Sequence, residues 1–226
     1  MVRDGIFYAL GLLLAALAVA KWTAPVWAAV PIILACFFLW FFRDPERVVP
    51  VEPGAIVAPA DGKVTHLGKC QVDGKEYLRI SIFLNIFDVH VNRSPIGGVI
   101  QNVQYRRGKF LNAMDSACAE QNEQSIVTVA GDGMIVVFKQ IAGLLARRIV
   151  FTKSAGDRVK RGERVGMIKF GSRTDLLLPP ETQVVVAVGK HVKGGSSVVA
   201  RVPAQRASLS ARSEKDYTAS GKDLRS

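Results

Sequence analysis

The side chains able to do chemistry are few. Three histidines, His66, His90 and His191, stand among acids that form no regularly spaced cluster. Cys36, Cys70 and Cys118 lie far apart and show no C-x-x-C spacing, so neither a disulfide framework nor a structural zinc site is expected, and no metal is assigned. A reducing compartment is the simpler expectation. P-loop, GxGxxG and G-x-S-x-G patterns are all missing, which removes the common nucleotide-binding and hydrolase templates. What remains is Lys193-Gly194-Gly195-Ser196-Ser197-Val198, between two strand-like runs. Taken alone, Gly-Gly-Ser-Ser reads as a turn.

The elements that must position these residues fall into unlike parts. The chain has 226 residues, 49% hydrophobic, with a formal charge of +11, too apolar and too weakly charged for a disordered protein. Its apolar residues are loaded into the front. Ile6 to Ala20 carries no charge, KWTAP follows, and Val26 to Phe42 is a second apolar run of 17 residues. At about 1.5 Å per residue the second run is roughly 25 Å long as a helix, short of a bilayer core of roughly 30 Å. A signal peptide would use Ala18-Val19-Ala20 as its cleavage pattern, but Asp4 cancels Arg3 and a second apolar run follows at once. A buried soluble hairpin conflicts with the unbroken apolar surface. The preferred reading for 1–42 is a transmembrane or re-entrant helical hairpin turning at Lys21 to Pro25, with Trp22, Trp27 and Trp40 as interfacial anchors. Arg43 and Arg47 flank the exit, which places both ends and everything after them in the cytoplasm, at the inner membrane.

After Phe42 a proline-rich connector, FRDPERVVPVEPG, marks a boundary. Residues 43–205 read as β-rich. Short runs rich in β-branched and aromatic residues recur at Ala55–Ala58, Lys63–Leu67, Tyr77–Leu84, Ile126–Val129, Met134–Gln140, Arg148–Thr152, Arg164–Phe170, Thr182–Val188 and Ser197–Val202. Turn signals sit at Asp61-Gly62, Asp73-Gly74, Gly131-Asp132-Gly133 and Arg161-Gly162. This spacing predicts a sandwich or barrel rather than βαβ units. One helix is expected at Ile141–Ala146 and a loop at Leu111–Gln124. Gly156–Phe170 carries a G-D-x-V-x-x-G-E-x-x-G pattern like the hairpin of barrel-sandwich domains, so the fold class is mainly β and barrel-sandwich-hybrid-like. Residues 206–226, basic and without apolar period, are expected to be a flexible tail. The positive surplus lacks any nucleic-acid motif, so no nucleic acid is expected as partner; an anionic lipid surface suits an anchored chain better.

Eight stretches in order resemble the short, membrane-anchored form of the phosphatidylserine decarboxylase proenzyme family. They are FFRDPER, APADGKV, DVHVNRSP, GKFLNA, QNE, QIAGLLARRIV, GDRVKRGERVGMIKFGSRTDLLLP and VKGGSSVVA. The resemblance implies that the chain cuts its own Gly195–Ser196 bond, leaving a heterodimer of β (1–195) and α (196–226) chains, and that Ser196 becomes a pyruvoyl group. A glycine before the serine leaves the carbonyl open and permits a strained turn. The Ser196 hydroxyl then adds to the Gly195 carbonyl, and β-elimination and hydrolysis yield the pyruvate-derived cofactor. Carried onto this chain, the family's base is His90 in DVHVNRSP and its acid is Asp61 in APADGKV, in line with triad logic. Longer members carry YHRxHxP with two histidines, whereas this chain has His90 and then Arg93.

For turnover the resemblance implies a Schiff base between the pyruvoyl group and the amine of phosphatidylserine, release of CO2 to give phosphatidylethanolamine, and proton delivery by His90. His66 and His191 are read as structural or exposed, and Asp88 as a second-choice acid. Candidate anion-binding residues are Arg93, Arg106, Arg107, Lys109, Arg147 and Arg148. Higher oligomers are compatible with the sequence. Two other readings stay open at this point: a non-catalytic membrane-anchored barrel-sandwich adaptor in which GGSS is only a turn, and a serine hydrolase using Ser196, His90 and Asp61 in an intact chain.

Overall fold

The computed structural model describes residues 3–115, 117–131, 133–144, 148–169 and 171–202. Its front is a pair of helices, α1 (Arg3–Trp22) and α2 (Ala29–Phe41), joined by a 3-10 turn over Pro25–Ala28. The turn falls where the KWTAP interruption predicts it, and Pro25 starts the 3-10 turn because its missing N–H is no loss there. The helices touch through small residues, Ala9, Ala16, Ala28 and Ala35, while Leu14, Leu17, Trp22 and Ile33 each remain more than 60% exposed. Asp4–Trp22, with mean hydropathy 1.8, is long and apolar enough to cross a membrane.

The rest is β structure. In chain order the strands are β1 (Ala55–Val57), β2 (Gly62–Val72), β3 (Lys75–Leu84), β4 (Val91–Arg93) and β5 (Gly98–Arg106), then a short helix α3 (Cys118–Gln121). There follow β6 (Gln124–Gly131), β7 (Met134–Ile141), β8 (Arg148–Phe151), β9 (Arg158–Val159) and β10 (Arg164–Lys169). The last are β11 (Ser172–Leu178), β12 (Gln183–Val184), β13 (His191–Val192) and β14 (Val198–Arg201). Eight of them form one curled sheet in the order β13-β2-β3-β11-β7-β6-β5-β9. Two three-stranded sheets, β1-β14-β12 and β4-β10-β8, complete the fold. All pairings are antiparallel among the described strands. The mainly β expectation is borne out.

Alternation drives the packing. In β7, Met134, Val136 and Phe138 point inward, and with Ile80, Ile82, Val127 and Val129 they meet Ile56, Val199 and Ala200 of the small β1-β14-β12 sheet in one core. Asp73-Gly74 forms the two-residue hairpin loop expected between β2 and β3; Asp73 has φ 49 and Gly74 φ 74, the left-handed pair of a type I′ turn. A second, smaller cluster of Phe41, Phe42 and Met167 joins the foot of the helical pair to β10. Lys169 on β10 adds an ion pair of 2.6 Å to Asp4 at the start of α1.

Several expectations need correction. The helix expected at Ile141–Ala146 does not form: Ile141 ends β7, and Ala142 donates to Glu123 O (2.9 Å) and accepts from Asn122 Nδ2 (2.7 Å). Its backbone is satisfied by neighbouring chain rather than by a helical turn, and residues 145 and 146 lie outside the described residues. The Leu111–Gln124 loop contains α3 and ends in β6. Of Thr182–Val188 only Gln183–Val184 enters a ladder. Residues 206–226, expected to be a tail, lie outside the described residues.

Candidate active site

The Gly-Gly-Ser-Ser segment is a tight turn clamped between β13 and β14. Ser196 and Ser197 N–H donate to Lys193 O (3.1 and 2.9 Å), and Ser197 Oγ accepts from Lys193 N–H at 2.9 Å. Ala58, just beyond β1, grips both ends: its carbonyl accepts from Gly195 N–H (2.9 Å) and its N–H donates to Ser197 O (2.8 Å). Gly195 has φ +78, a left-handed conformation, and a Cβ there would stand 2.7 Å from Arg93 Cδ. Only glycine fits both constraints. Ser196 is half-buried, and its hydroxyl has no hydrogen-bond partner among the described residues.

Two ion pairs flank this turn. Asp61, following the β1 segment in APADG, accepts from Gly194 N–H through Oδ1 (2.8 Å) and from Arg47 Nη2 through Oδ2 (2.7 Å). Burial raises the Asp61 carboxyl above the usual carboxylate range. The Gly194 N–H and the Arg47 guanidinium pull it down by less, and Asp88 adds like-charge repulsion. On the other side Arg93, the last residue of β4, donates from Nη1 to Gly162 O (3.0 Å) and from Nη2 to Asp44 Oδ1 (2.8 Å) and Pro45 O (3.2 Å). Asp44 also accepts from Arg164 Nε at 2.6 Å. Its side chain is 4% exposed, so two guanidiniums hold a carboxylate almost out of water. Asp44 and Arg47 belong to the connector that leaves α2, which therefore braces the turn from both sides.

His90 occupies a different environment. It is fully buried, with its ring 4.4 Å from that of Phe41. Nδ1 lies 2.9 Å from Asp88 O, the geometry of a donor, which leaves Nε2 to accept from Gly171 N–H at 3.3 Å. Burial pushes the His90 pKa down to about 4, against the pull of the Asp88 carbonyl, so at neutral pH the ring is uncharged. No hydrogen bond or ion pair joins Asp61 to His90, or His90 to Ser196. The Asp61–His90 contact implied by triad logic is not formed in this structure. Arg47 and Gly194 occupy the carboxylate that would have oriented the ring.

Asp61 is bonded to Gly194, next to Gly195 and Ser196, whereas His90 makes its hydrogen bonds with Asp88 and Gly171. Of the anion-binding candidates, Arg93 alone touches the turn. Arg106 donates to Glu120 O and Lys109 to Gln121 Oε1 (3.1 Å), Arg107 and Arg148 are exposed, and Arg147 lies outside the described residues. His66 is exposed on β2. His191, also exposed, stands 3.8 Å from the Asp88 carboxylate, which in turn acts on Asp61. Sequence reasoning missed Asp44, Arg47 and Phe41 as site residues. All three lie in FFRDPER, one of the stretches that carry the family resemblance, but nothing in that stretch marks their partners Asp61, His90 and Arg93.

Comparison with known proteins identifies the family. The family model described as phosphatidylserine decarboxylase matches residues 34–200. A protein of Solibacter usitatus named phosphatidylserine decarboxylase proenzyme is 56% identical over 201 residues, covering 89% of this chain and 96% of the relative. Relatives of the same name from Symbiobacterium thermophilum (46% identical; 75% of this chain, 81% of the relative) and Geobacter sulfurreducens (43%; 85% and 91%) also match. With a matched region that runs from α2 through β1 to β13 and into β14, the turn at Gly195–Ser196 included, the chain belongs to the phosphatidylserine decarboxylase family.

Proposed function

We propose that this chain is a self-processing, pyruvoyl-dependent phosphatidylserine decarboxylase, in which Ser196 is both the nucleophile of self-cleavage and the source of the reactive group. The observation that carries the reading is the turn itself: a positive-φ Gly195 that no side chain can replace, followed by a serine whose hydroxyl is unengaged among the described residues. The residues present fit a group made at this position, since no additional ligand needs to be accommodated.

Asp61 fixes the bond to be cut by holding Gly194 N–H and, with its raised pKa, accepts the Ser196 proton directly or through one water. Arg47 orients that carboxylate. Once the bond is cut, the α chain stays in place because β14 lies between β1 and β12 and its Val199 and Ala200 are fully buried in the common core. A pyruvoyl group at residue 196, held by the β14 end of the turn, would supply a ketone electrophile for the substrate amine and an electron sink for decarboxylation. His90 carries a proton in turnover. Its lone pair is held by Gly171 N–H, so this role requires that 3.3 Å bond to be exchanged for substrate.

The division into an anchor (1–42), a catalytic region (43–205) and a tail (206–226) belongs to the same reading. So does placement at the inner membrane with the site on the cytoplasmic side, where Arg43, 4.1 Å over the Trp40 ring, stands at the foot of the hairpin. The substrate is a serine phospholipid presented at that surface. The test is release of CO2 from carboxyl-labelled phosphatidylserine in mixed micelles. Ser196→Ala abolishes both chain cutting and CO2 release; activity retained in that variant refutes the assignment.

A further inference from the structure

We propose that Arg93 stabilises the carboxylate that departs as Gly195 is released from Ser196, an inference that rests on the self-processing reading above. Ser196 Oγ bonds to the Gly195 carbonyl carbon and the peptide C–N bond breaks, the freed amine taking a proton, so that an ester joins the two residues. A base then removes the Cα proton of residue 196. The electron pair forms a Cα–Cβ double bond, the Cβ–Oγ bond breaks, and Oγ leaves as one oxygen of a Gly195 carboxylate. The dehydroalanine adds water and loses ammonia; no oxidant is needed. A full negative charge therefore appears at Gly195, a buried residue, and a buried charge needs a partner.

Arg93 is placed to be that partner. Its Cδ packs against Gly195, 2.7 Å from where a Cβ would stand, and its side chain is 8% exposed. Three of the five N–H groups of a guanidinium are engaged among the described residues, with Gly162 O, Asp44 and Pro45 O, which leaves two for a carboxylate formed beside it. Asp44 keeps a second cation, Arg164 at 2.6 Å, so Arg93 can turn toward the new charge without stranding Asp44. Arg47, the other guanidinium at the turn, is committed to Asp61. A bidentate fork beside a leaving carboxylate lowers the cost of the elimination step rather than of ester formation.

The experiment follows maturation of the full-length chain after cell-free synthesis, with and without a hydroxylamine quench, by intact mass. Hydroxylamine cleaves an ester but leaves the peptide bond intact. In Arg93→Gln the α chain appears about 10- to 100-fold more slowly, the loss expected for one charge-assisted interaction. The quench then releases a Gly195 hydroxamate and an α fragment that begins with a free serine, showing accumulated ester. Arg93→Lys, with a point charge in place of the fork, matures at an intermediate rate with less ester. Maturation of Arg93→Gln at the wild-type rate overturns the proposal, and so does a folded Arg93→Gln chain that stays resistant to hydroxylamine. If the Gln variant does not fold, the Lys variant decides, and its maturation without any ester build-up overturns the proposal. A wild-type chain that never splits at Gly195–Ser196 instead sinks the self-processing reading itself.

Discussion

The turn at Gly195 and the pocket around His90 lie at the two ends of β4, and they solve the problem of burying polar groups in opposite ways. The turn is surrounded by charge: Asp61 with Arg47 on one side, Arg93 with Asp44 and Arg164 on the other. The pocket is surrounded by hydrocarbon and ring: Phe41 against His90, Phe42 and Met167 beside it, and backbone groups alone on the two imidazole nitrogens. A charged network sets paired charges around the Gly195–Ser196 bond, whereas an apolar pocket keeps an imidazole neutral. In the uncut chain the two are separate. On the proposed reading, cutting and turnover draw on different residues, Asp61 serving the first and His90 the second.

Breaking the charged half has the largest effect. Asp61→Asn removes the proton acceptor and leaves Arg47 without its anion, and self-cleavage slows by roughly a thousandfold, measured as the rate of α-chain appearance. Breaking the apolar half acts on stability instead. Phe41→Ala opens a cavity over His90 and costs about 3–5 kcal/mol in denaturant unfolding, while cleavage persists in the molecules that remain folded.

The pH dependence separates the regions by sign. His90 titrates near 4 when folded and near 6.5 when unfolded, so the unfolded state takes up a proton first as pH falls. Stability is therefore lost between about pH 6.5 and 4, by about 3 kcal/mol, and His90→Gln removes that slope. Asp61 works in the opposite sense: its folded pKa is raised, so protonation favours the folded chain, and Asp61→Asn removes this contribution. The smallest effect belongs to the outermost guanidinium. Substitution of Arg164, about half exposed, by Gln costs less than about 1 kcal/mol in denaturant unfolding, because Arg93 still holds Asp44 in the folded chain.

The legible and illegible parts of the chain divide on physical grounds. The hairpin turn at Lys21–Pro25, the Asp73-Gly74 loop and the core strands were readable because each rests on a local signal: an apolar run, a turn dipeptide, a period of two. β11 was not, although it lies at the centre of the large sheet, between β3 and β7. Its sequence, SRTDLLL, has no alternation because both faces are covered, and it buries Arg173 and Asp175 as a pair at 2.6 Å with Ser81 as a further acceptor. β5 was missed for the opposite reason. GVIQNVQYR is mostly exposed and carries a bulge between Ile100 and Asn102 that spoils its period.

At the site, Gly195, Ser196 and Asp61 were found through motifs. The brace of Asp44, Arg47 and Arg93 was not, because an ion pair between residues 49 positions apart leaves no mark in a single sequence. Nor does composition tell that Arg47 and Gly194 pre-empt the carboxylate expected to hold His90.

The central claim is that this chain makes its own reactive group at residue 196. Intact mass of the purified full-length protein, with chemical sequencing of its fragments, tests it most directly. The expected result is two chains divided between Gly195 and Ser196, the smaller one lacking a free amino terminus and reacting with carbonyl reagents. A single uncut chain that releases CO2 from phosphatidylserine would contradict it.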